Sequence, residues 1–421
     1  MLEWIDRAIG RVAADARLWT DLEAICAFGG RVCGTDSERR AVDWLRAWLA
    51  GQAGAAVRDH VFRYGGWRAT ACRLDRLDPG GPIALVANPL IRSAGTGPAG
   101  VEAEVLDLGR GTPDVFDALA RELRGRFALV RHEYMFADGH LHRRRKYQWA
   151  VERGAAGFLI ASSYPGIGPV AGSTGRDEGP GILGVGIAAE TAALLANARA
   201  RLTMTTEEAP AEAVNLIAEW PGAAAEWIVL SAHIDGHGLA QSALDNGTGL
   251  AAVLATARAL VPERARFRRG LRVCLFNAEE WALTGSRIYA DGLGPAERDA
   301  IVLKVNLDSV AGHERLAALT SGFAGIEPFL AETARGIGLD LRLHRPLMSN
   351  SDHANFAAVG VPAFRLVAGF DDPASRLRHV LTPADTLDKA APGELKLAAL
   401  LTTAVVARLL AGEGDGRAFR V

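Results

Sequence analysis

The chain has 421 residues, more than a single core usually serves, so we expect two domains or one core with a large insertion. Apolar residues make up 49% and charged residues 23%, the balance of an ordinary soluble globular protein. The formal net charge of -2 gives no electrostatic reason to expect nucleic acid or an anionic membrane as a partner. No apolar run approaches the roughly 18 residues that a membrane-spanning helix needs.

The N-terminus and the cysteines both indicate a cytoplasmic protein. The first residues, Met1–Arg7, lack a basic region followed by an apolar one, so we expect no signal peptide. The four cysteines occur without the CxxC spacing of a zinc site, and isolated free thiols are typical of the cytosol. We therefore expect a cytoplasmic location.

Residues 1–75 are predicted to form the N-terminal part of the main domain. Their clearest pattern lies in Ser37–Leu49, where apolar residues recur with the spacing of one helix face. Small polar residues at the start can cap this helix, and Gly51 follows its end.

Residues 76–205 have a different texture. Glycine and proline cluster in Asp78–Pro82, and short β-like segments follow at Phe127–Val130 and Gly157–Ile160. A helical stretch, Lys146–Arg153, separates these two segments. The pattern predicts a separate small α/β module.

Residues 206–421 are predicted to form the core of the main domain. Apolar strands alternate with helices, including the helix Gly249–Leu260, the strand Pro362–Val367 and the closing helix Leu397–Leu410. Such alternation predicts an α/β fold in which a doubly wound sheet is flanked by helices.

Three predicted strands of this core each deliver histidine or carboxylate side chains at their C-terminal ends. In chain order these side chains are His233, Asp235, Asp245, Glu279, Glu280 and Asp308. In open α/β sheets the active site lies at this edge. The set is rich in oxygen and contains an imidazole, so it suits a hydrolytic pair of zinc ions. A solvated polar rim is the alternative interpretation.

The segments that carry these residues resemble a known family, the zinc exopeptidases that include aminopeptidase S and glutamate carboxypeptidase II. The matching motifs are Ser231–Asp235, Leu244–Gly249, Phe276–Trp281 and Asn306–Ser309. Gly29–Thr35 is similar to the family's N-terminal segment, Thr382–Thr386 to its C-terminal one, and residues 76–205 to its protease-associated insert. The resemblance covers most of the chain. It implies a mixed, phosphorylase/hydrolase-like sheet with that insert.

The resemblance also implies a role for each residue of the site. Asp245 is expected to bridge two zinc ions, with His233 and Asp308 completing one of them. Glu280 and a C-terminal histidine would complete the other. Glu279 is expected to be the general base, which takes a proton from water whose pKa two cations lower toward about 7.

Asp235 is expected to orient the ligand histidine. It lies two residues after His233, so its carboxylate can accept the second imidazole N–H and thereby select the tautomer. An exposed loop charge is the alternative.

The final histidine departs from the family pattern. That pattern places it four residues before Asp385, where this chain has Leu381, which cannot bind zinc. We expect a longer loop to deliver His379 instead. If His379 is an ordinary loop residue, the second zinc site is weakened or absent. The resemblance places His353 near the substrate without binding metal.

Two further histidine groups are interpreted as structural. His237 lies in the loop between His233 and Asp245 and is not expected to be a ligand. The basic run Arg143–Lys146, close to three histidines, is expected to be a solvated helix face. A cleft rim that meets a substrate carboxylate is the other interpretation of this run.

The sequence therefore favours a dizinc aminopeptidase that acts on short peptides. A carboxypeptidase or a small-molecule amidohydrolase could use the same site. A rival class is a non-catalytic binding protein on a decayed peptidase fold, as in the transferrin receptor. A glutaminyl cyclase-like enzyme with a single zinc is a further alternative. The choice among zinc, manganese and cobalt stays open, as does a homo-oligomer.

Overall fold

The computed structural model describes residues 3–176, 179 and 181–421. The chain divides into two compact units. The main unit comprises Met1–Tyr64, Glu212–Val380 and Asp385–Val421, and the inserted unit comprises Gly65–Ala211 and Leu381–Ala384.

The helices follow one another along the chain. They are α1 (Glu3–Ala13), α2 (Arg17–Ala27), α3 (Asp36–Ala50), α4 (Pro113–Ala118), α5 (Ala120–Leu123), α6 (Arg143–Glu152), α7 (Ala189–Leu195), α8 (Thr248–Leu260), α9 (Thr284–Gly292), α10 (Pro295–Ala300), α11 (Glu327–Gly336), α12 (His353–Ala358) and α13 (Pro392–Leu410). Among the residues that the structure describes, none of these helices has the length and apolar character needed to cross a membrane.

The strands range from short edge strands to two long ones. They are β1 (Ala56–Asp78), β2 (Gly81–Leu85), β3 (Ala87–Pro89), β4 (Val101–Asp107), β5 (Phe127–Arg131), β6 (Gly157–Ala161), β7 (Leu183–Ile187), β8 (Arg199–Trp220), β9 (Trp227–His233), β10 (Gly270–Phe276), β11 (Ile301–Leu307), β12 (Leu316–Leu319), β13 (Leu341–His344) and β14 (Ala363–Ala368).

The sheet of the main unit is mixed. Its strand order is β13-β12-β14-β11-β9-β10-β8, in which β10, β9, β11 and β14 run parallel. The flanking strands β8 and β12 pair antiparallel with β10 and β14. Apart from Trp227 at the start of β9, the residues of the parallel strands are buried, because helices cover the sheet. The predicted mixed α/β fold is confirmed.

Two groups of helices cover this sheet. Helices α1, α2, α8 and α13 contact one another, and α8 and α13 also contact β9. Helices α9 and α12 form the other group, and α12 packs on β11 and β14. The predicted N-terminal helix is α3, whose first turn is capped when the Thr35 hydroxyl accepts from the Glu38 N–H.

Strand register brings three carboxyl ends to one place in the main unit. Phe276 of β10 lies beside His233 of β9, and Asn306 of β11 lies beside Ser231 of β9. The residues that follow each strand therefore meet at a single edge of the sheet, and most of the predicted site residues lie there.

The inserted unit is a second α/β structure with its own core. Its strands follow the order β8-β4-β5-β6-β7-β3, with β4 to β7 parallel and β1 forming a hairpin with β2. Along β5, Phe127 and Leu129 pack into one apolar cluster, whereas Ala128 and Val130 pack into another. Because side chains alternate along a strand, both faces of this sheet are covered. The predicted inserted α/β module is thereby confirmed.

Candidate metal centre

Three of the sequence-predicted ligands converge at the carboxyl edge of the main sheet. His233 ends β9, Asp245 lies in the irregular π-helical turn Ala243–Gly247, and Asp308 follows β11. One ligand atom from each lies within 4.8 Å of the other two, and all three side chains are buried. His233 Nε2 is 3.0 Å from an Asp245 carboxylate oxygen and 3.7 Å from an Asp308 carboxylate oxygen.

The hydrogen bond of His233 leaves one ring nitrogen available to a cation. Its Nδ1 lies 3.0 Å from the main-chain carbonyl oxygen of Asp235, which can only accept, so Nδ1 carries the proton. The neutral imidazole then presents the Nε2 lone pair to the space shared with Asp245 and Asp308. A buried nitrogen and two carboxylates in this arrangement fit a zinc-type cation.

The carboxylate of Asp235 has partners other than the predicted one. It lies 3.7 Å from His233 Nδ1 and accepts the backbone N–H groups of Glu279 at 2.9 Å and Glu280 at 3.1 Å. The main-chain carbonyl of Asp235 therefore orients the imidazole, and its carboxylate holds the loop that carries the glutamates. The sequence predicted that the Asp235 carboxylate accepts the imidazole N–H. In the structure the main-chain carbonyl of the same residue is the acceptor instead.

The electrostatics of the centre reflect an excess of buried carboxylates. Burial disfavours an imidazolium, but the carboxylates around His233 outweigh it and raise the pKa of His233 well above its ordinary value. Burial and the charge of Asp308 raise the pKa of Asp245. A bound divalent cation would neutralise this excess of negative charge.

Glu279 and Glu280 lie side by side after β10, and both are buried. Burial, together with the neighbouring carboxylates, raises the pKa of Glu279 well above its ordinary value, against the opposing effect of His233. A raised pKa suits a carboxylate that accepts and returns a proton. Among the described residues, neither glutamate belongs to the converging ligand group.

Arg365 of the neighbouring strand β14 stabilises the ionised carboxylate of the candidate ligand Asp308. Its Nη2 lies 3.1 Å from the Asp308 carboxylate, and both side chains are almost fully buried. Burial alone would raise the pKa of Asp308, but the guanidinium holds it well below its usual range. Our sequence analysis did not single out Arg365. The sequence feature that could have identified Arg365 is its place within the apolar strand Ala363–Ala368. An unpaired charge is costly there, so a buried arginine implies a buried acidic partner.

Asp385 supports the turn that carries Asp245. Its carboxylate accepts the backbone N–H groups of Leu244 at 2.7 Å and Asp245 at 3.3 Å. His237 Nε2 lies 3.7 Å from the same carboxylate, and His237 Nδ1 accepts from the N–H of Leu239. This arrangement agrees with the structural interpretation of His237.

His379 lies at the end of the 3-10 turn Arg376–His379 and is buried. Among the described residues it is not part of the converging group. Burial and nearby positive charges lower the pKa of His379, which favours the neutral ring that a metal requires. Its role as the last ligand stays a prediction.

His353 and Leu381 complete the set of residues considered from the sequence. His353 begins α12 and is fully buried, and burial beside Arg365 and Lys304 lowers its pKa well below the ordinary value. Leu381 belongs to the inserted unit, has a left-handed backbone (φ 62°), and accepts from the N–H of Ala171 through its carbonyl. The substrate-binding role of His353 stays a prediction.

Lys304 is a second buried cation that the sequence analysis missed. Its Nζ donates to the Asn306 side-chain oxygen at 3.1 Å and lies over the Phe276 and Phe356 rings. Burial lowers the pKa of Lys304 to about 7.

The basic run at the start of α6 is only partly solvated. Arg143 and Lys146 are buried. Lys146 Nζ donates to the Arg131 carbonyl and to the Glu133 carboxylate, while Arg143 Nε donates to the Ser173 carbonyl. The expectation of a solvated face was wrong for these two residues, because they hold loops of the inserted unit together.

The fold and the site together define an α/β protein with a candidate metal centre at the carboxyl edge of its main sheet. Residues 215–406 match the description of peptidase family M28, and residues 81–195 match the PA domain. The comparison therefore assigns residues 215–406 to peptidase family M28 and residues 81–195 to a PA domain.

Individual relatives agree with this assignment. The chain is 31% identical to Leupeptin-inactivating enzyme 1 of Streptomyces exfoliatus over 158 residues, which cover 37% of this chain and only 36% of that protein. It is 25% identical to Aminopeptidase YwaD of Bacillus subtilis (strain 168) over 348 residues, covering 79% and 73% of the two chains. The fold is similar to that of BSAP, a zinc aminopeptidase from Bacillus subtilis, with a TM-score of 0.73, 22% identity and coverage of 98% and 97%.

Proposed function

We propose that this protein is a dizinc aminopeptidase that removes N-terminal residues from short peptides. The observation that carries the proposal is the convergence of His233, Asp245 and Asp308 beside a buried glutamate pair. Two similar proteins support the proposal: Aminopeptidase YwaD supports the reaction, and the zinc aminopeptidase BSAP supports both the reaction and the metal.

In the proposed centre, His233 and Asp308 would hold one ion, and Glu280 and His379 would hold the other. Asp245 would be shared between the two ions. When bound, the metals acidify a water molecule and polarise the scissile carbonyl. The His233 tautomer supports this assignment, because Nε2 is the nitrogen left to coordinate.

Glu279 is the proposed general base. Its carboxylate accepts the proton of the attacking water and then donates it to the leaving amine, which needs a carboxyl group whose pKa lies above the ordinary range. Asp235 fixes the backbone at Glu279 and Glu280 and so keeps the base and the proposed ligand in register. Removing a positioned base typically costs about 10²- to 10⁴-fold in rate.

The first test combines metal content with hydrolysis. Zinc per chain is measured on protein purified without chelator, for the wild type, Glu279→Gln and His379→Ala. His313→Ala is the matched control, because His313 pairs with Asp372 outside the ligand group. Activity is followed on a peptide with a free N-terminus and on its N-acetylated form.

We expect about two zinc ions per wild-type chain, falling to about one in His379→Ala and unchanged in the control. Glu279→Gln should keep its metal and lose about 10²-fold or more in kcat. The acetylated peptide should be a poor substrate. Equal cleavage of both peptides would instead favour an amidohydrolase, and one zinc in both the wild type and His379→Ala would remove His379 from the centre.

A further inference from the structure

Arg31 is a fully buried arginine of the main unit, in the segment between α2 and α3. Its guanidinium donates hydrogen bonds to five main-chain carbonyl oxygens. The acceptors are Ile25 at 3.4 Å, Gly29 at 3.0 Å, Ile234 at 2.9 Å, Gln241 at 2.8 Å and Ser242 at 2.9 Å. A buried charge is tolerated only when its donors are satisfied in this way.

Three of these carbonyls belong to the loop that joins two proposed ligands. Ile234 directly follows His233, and Gln241 and Ser242 lie shortly before Asp245. The rigid guanidinium of Arg31 therefore donates hydrogen bonds to both ends of this loop. Its fork of five N–H donors is a geometry that lysine cannot reproduce.

The same loop is held from the other side by a carboxylate. Asp385 accepts the backbone N–H groups of Leu244 and Asp245. The guanidinium of Arg31 thus satisfies carbonyls that precede the turn, and the carboxylate of Asp385 satisfies two amides within it. The two groups act on one short stretch of backbone.

Close packing leaves this loop little room to move. A side chain at Gly30 would place its Cβ 2.0 Å from the His237 carbonyl oxygen, and one at Gly236 would come within 2.5 Å of the Ser242 hydroxyl. The Gly236 N–H also bonds to the Arg31 carbonyl at 3.3 Å. The glycines allow the N-terminal segment and the loop to touch backbone to backbone.

We propose that Arg31 is a positioning residue for the metal centre, which holds the loop 234–242 so that His233 and Asp245 are placed before any metal binds. The inference rests on the proposed metal site but concerns residues that touch neither metal nor substrate. Groups that orient ligands in this way typically change metal affinity about 10- to 100-fold.

The test compares Arg31→Lys with Arg269→Lys in the full chain. Arg269 is also buried and donates to three main-chain carbonyls, those of Leu409, Glu413 and Gly414, but it directly precedes β10 and so lies at the opposite edge of the sheet. Zinc affinity is measured by competition with a chromophoric chelator. Amide hydrogen exchange of residues 236–245 is followed on chelator-treated protein.

We expect Arg31→Lys to bind zinc about 10- to 100-fold more weakly than the wild type and to exchange faster in the loop without metal. Arg269→Lys should lose stability but keep the wild-type affinity and loop exchange. Wild-type affinity and loop exchange in a folded Arg31→Lys would overturn the proposal.

If Arg31→Lys does not fold, Asp385→Asn provides the test from the other side of the turn. Weakened zinc binding with faster loop exchange supports the proposal, and unchanged values overturn it. A wild-type protein that binds no zinc at all would overturn the proposed function itself. Wild-type binding with unaffected variants would overturn only the role of the loop.

Discussion

At the residue scale, Lys304 makes the free energy of unfolding depend on pH. It lies fully buried in β11, and burial lowers its pKa to about 7, whereas an unfolded chain has a lysine pKa of about 10.4. Between these values the unfolded chain holds a proton that the folded protein has lost. The free energy of unfolding therefore gains a contribution as pH rises through that window.

Replacing this lysine should remove that contribution. Between pH 7 and pH 8.5 we expect the wild type to gain roughly 1–2 kcal/mol of unfolding free energy relative to Lys304→Met, because methionine has no proton to lose. Urea unfolding at the two pH values, with chelator present, measures the difference. Lys389→Met is the control at a partly exposed position. A difference between wild type and Lys304→Met that does not change with pH would contradict the prediction.

At the scale of elements, ion pairs as well as apolar packing hold helix α1 against the rest of the main unit. Arg7 and Arg11 donate to the Glu263 carboxylate at 3.0 Å and 2.8 Å, and α1 also contacts α8 and α13. The hydrogen bond from Arg7 is the main cause that lowers the pKa of Glu263 to about 2, although burial opposes it. An ionised Glu263 thus favours the docked helix.

Glu263→Gln should loosen α1 at neutral pH. We expect a loss of about 1.5–3 kcal/mol in unfolding free energy, the usual value of a hydrogen bond to a charged group. A carboxyl with a depressed pKa stabilises above its unfolded pKa of about 4.3, and this contribution is lost as pH falls through about 2. The deficit should therefore shrink between these values in denaturant titrations.

The control for this prediction is Glu332→Gln. Glu332 pairs with Arg408, but its side chain is 65% exposed. Exposed ion pairs contribute about 0–1 kcal/mol, so this variant should stay close to the wild type. A loss in Glu332→Gln as large as that in Glu263→Gln would argue against a specific role for the α1 contact.

At the scale of the whole molecule, the candidate metal centre lies within one unit, and the inserted unit has separate apolar clusters. A ligand that binds only the native state stabilises what it binds, by about 2.7 kcal/mol at a hundred times its dissociation constant. The carboxylates that raise the pKa of His233 also mean that metal must displace a proton.

Removing zinc with a chelator should therefore destabilise the main unit, and the zinc affinity should depend on pH. We expect zinc removal to lower the Tm and to speed amide exchange in β9 and β10, while β5 and β6 of the inserted unit change little. Zinc affinity should weaken as pH falls, starting above the ordinary histidine pKa of about 6.5. Hydrogen exchange with and without chelator tests the first part, and titrations at several pH values test the second. Equal protection of both units by zinc would contradict the prediction.

Local patterns determined much of this fold. Helix α3 follows from the helical spacing of its apolar residues, whereas the strands β9, β10 and β11 follow from short, nearly continuous apolar runs that end at polar residues. The carboxyl edge as the place for the site follows from parallel strands, whose ends coincide. His233, Asp245 and Asp308 could be grouped on that reasoning before any contact was known.

Other features depended on residues far apart in the chain. Arg31 meets Ser242 across 211 positions, Leu244 meets Asp385 across 141, and Arg365 meets Asp308 across 57. No local period encodes such pairs, since a buried charge reveals its partner only when packing closes around it. The separate roles of the Asp235 carbonyl and carboxylate are a further example, because the carboxylate accepts from backbone N–H groups of the loop after β10.

The sequence by itself determined the α/β class, the inserted module and the edge of the sheet that carries the candidate ligands, because each depends on spacing along one segment. Only the tertiary structure decided which charges are buried, which atoms orient His233, and that the ligand loop is held between Arg31 and Asp385. Those depend on desolvation and on distances between segments, and both are set when the chain packs.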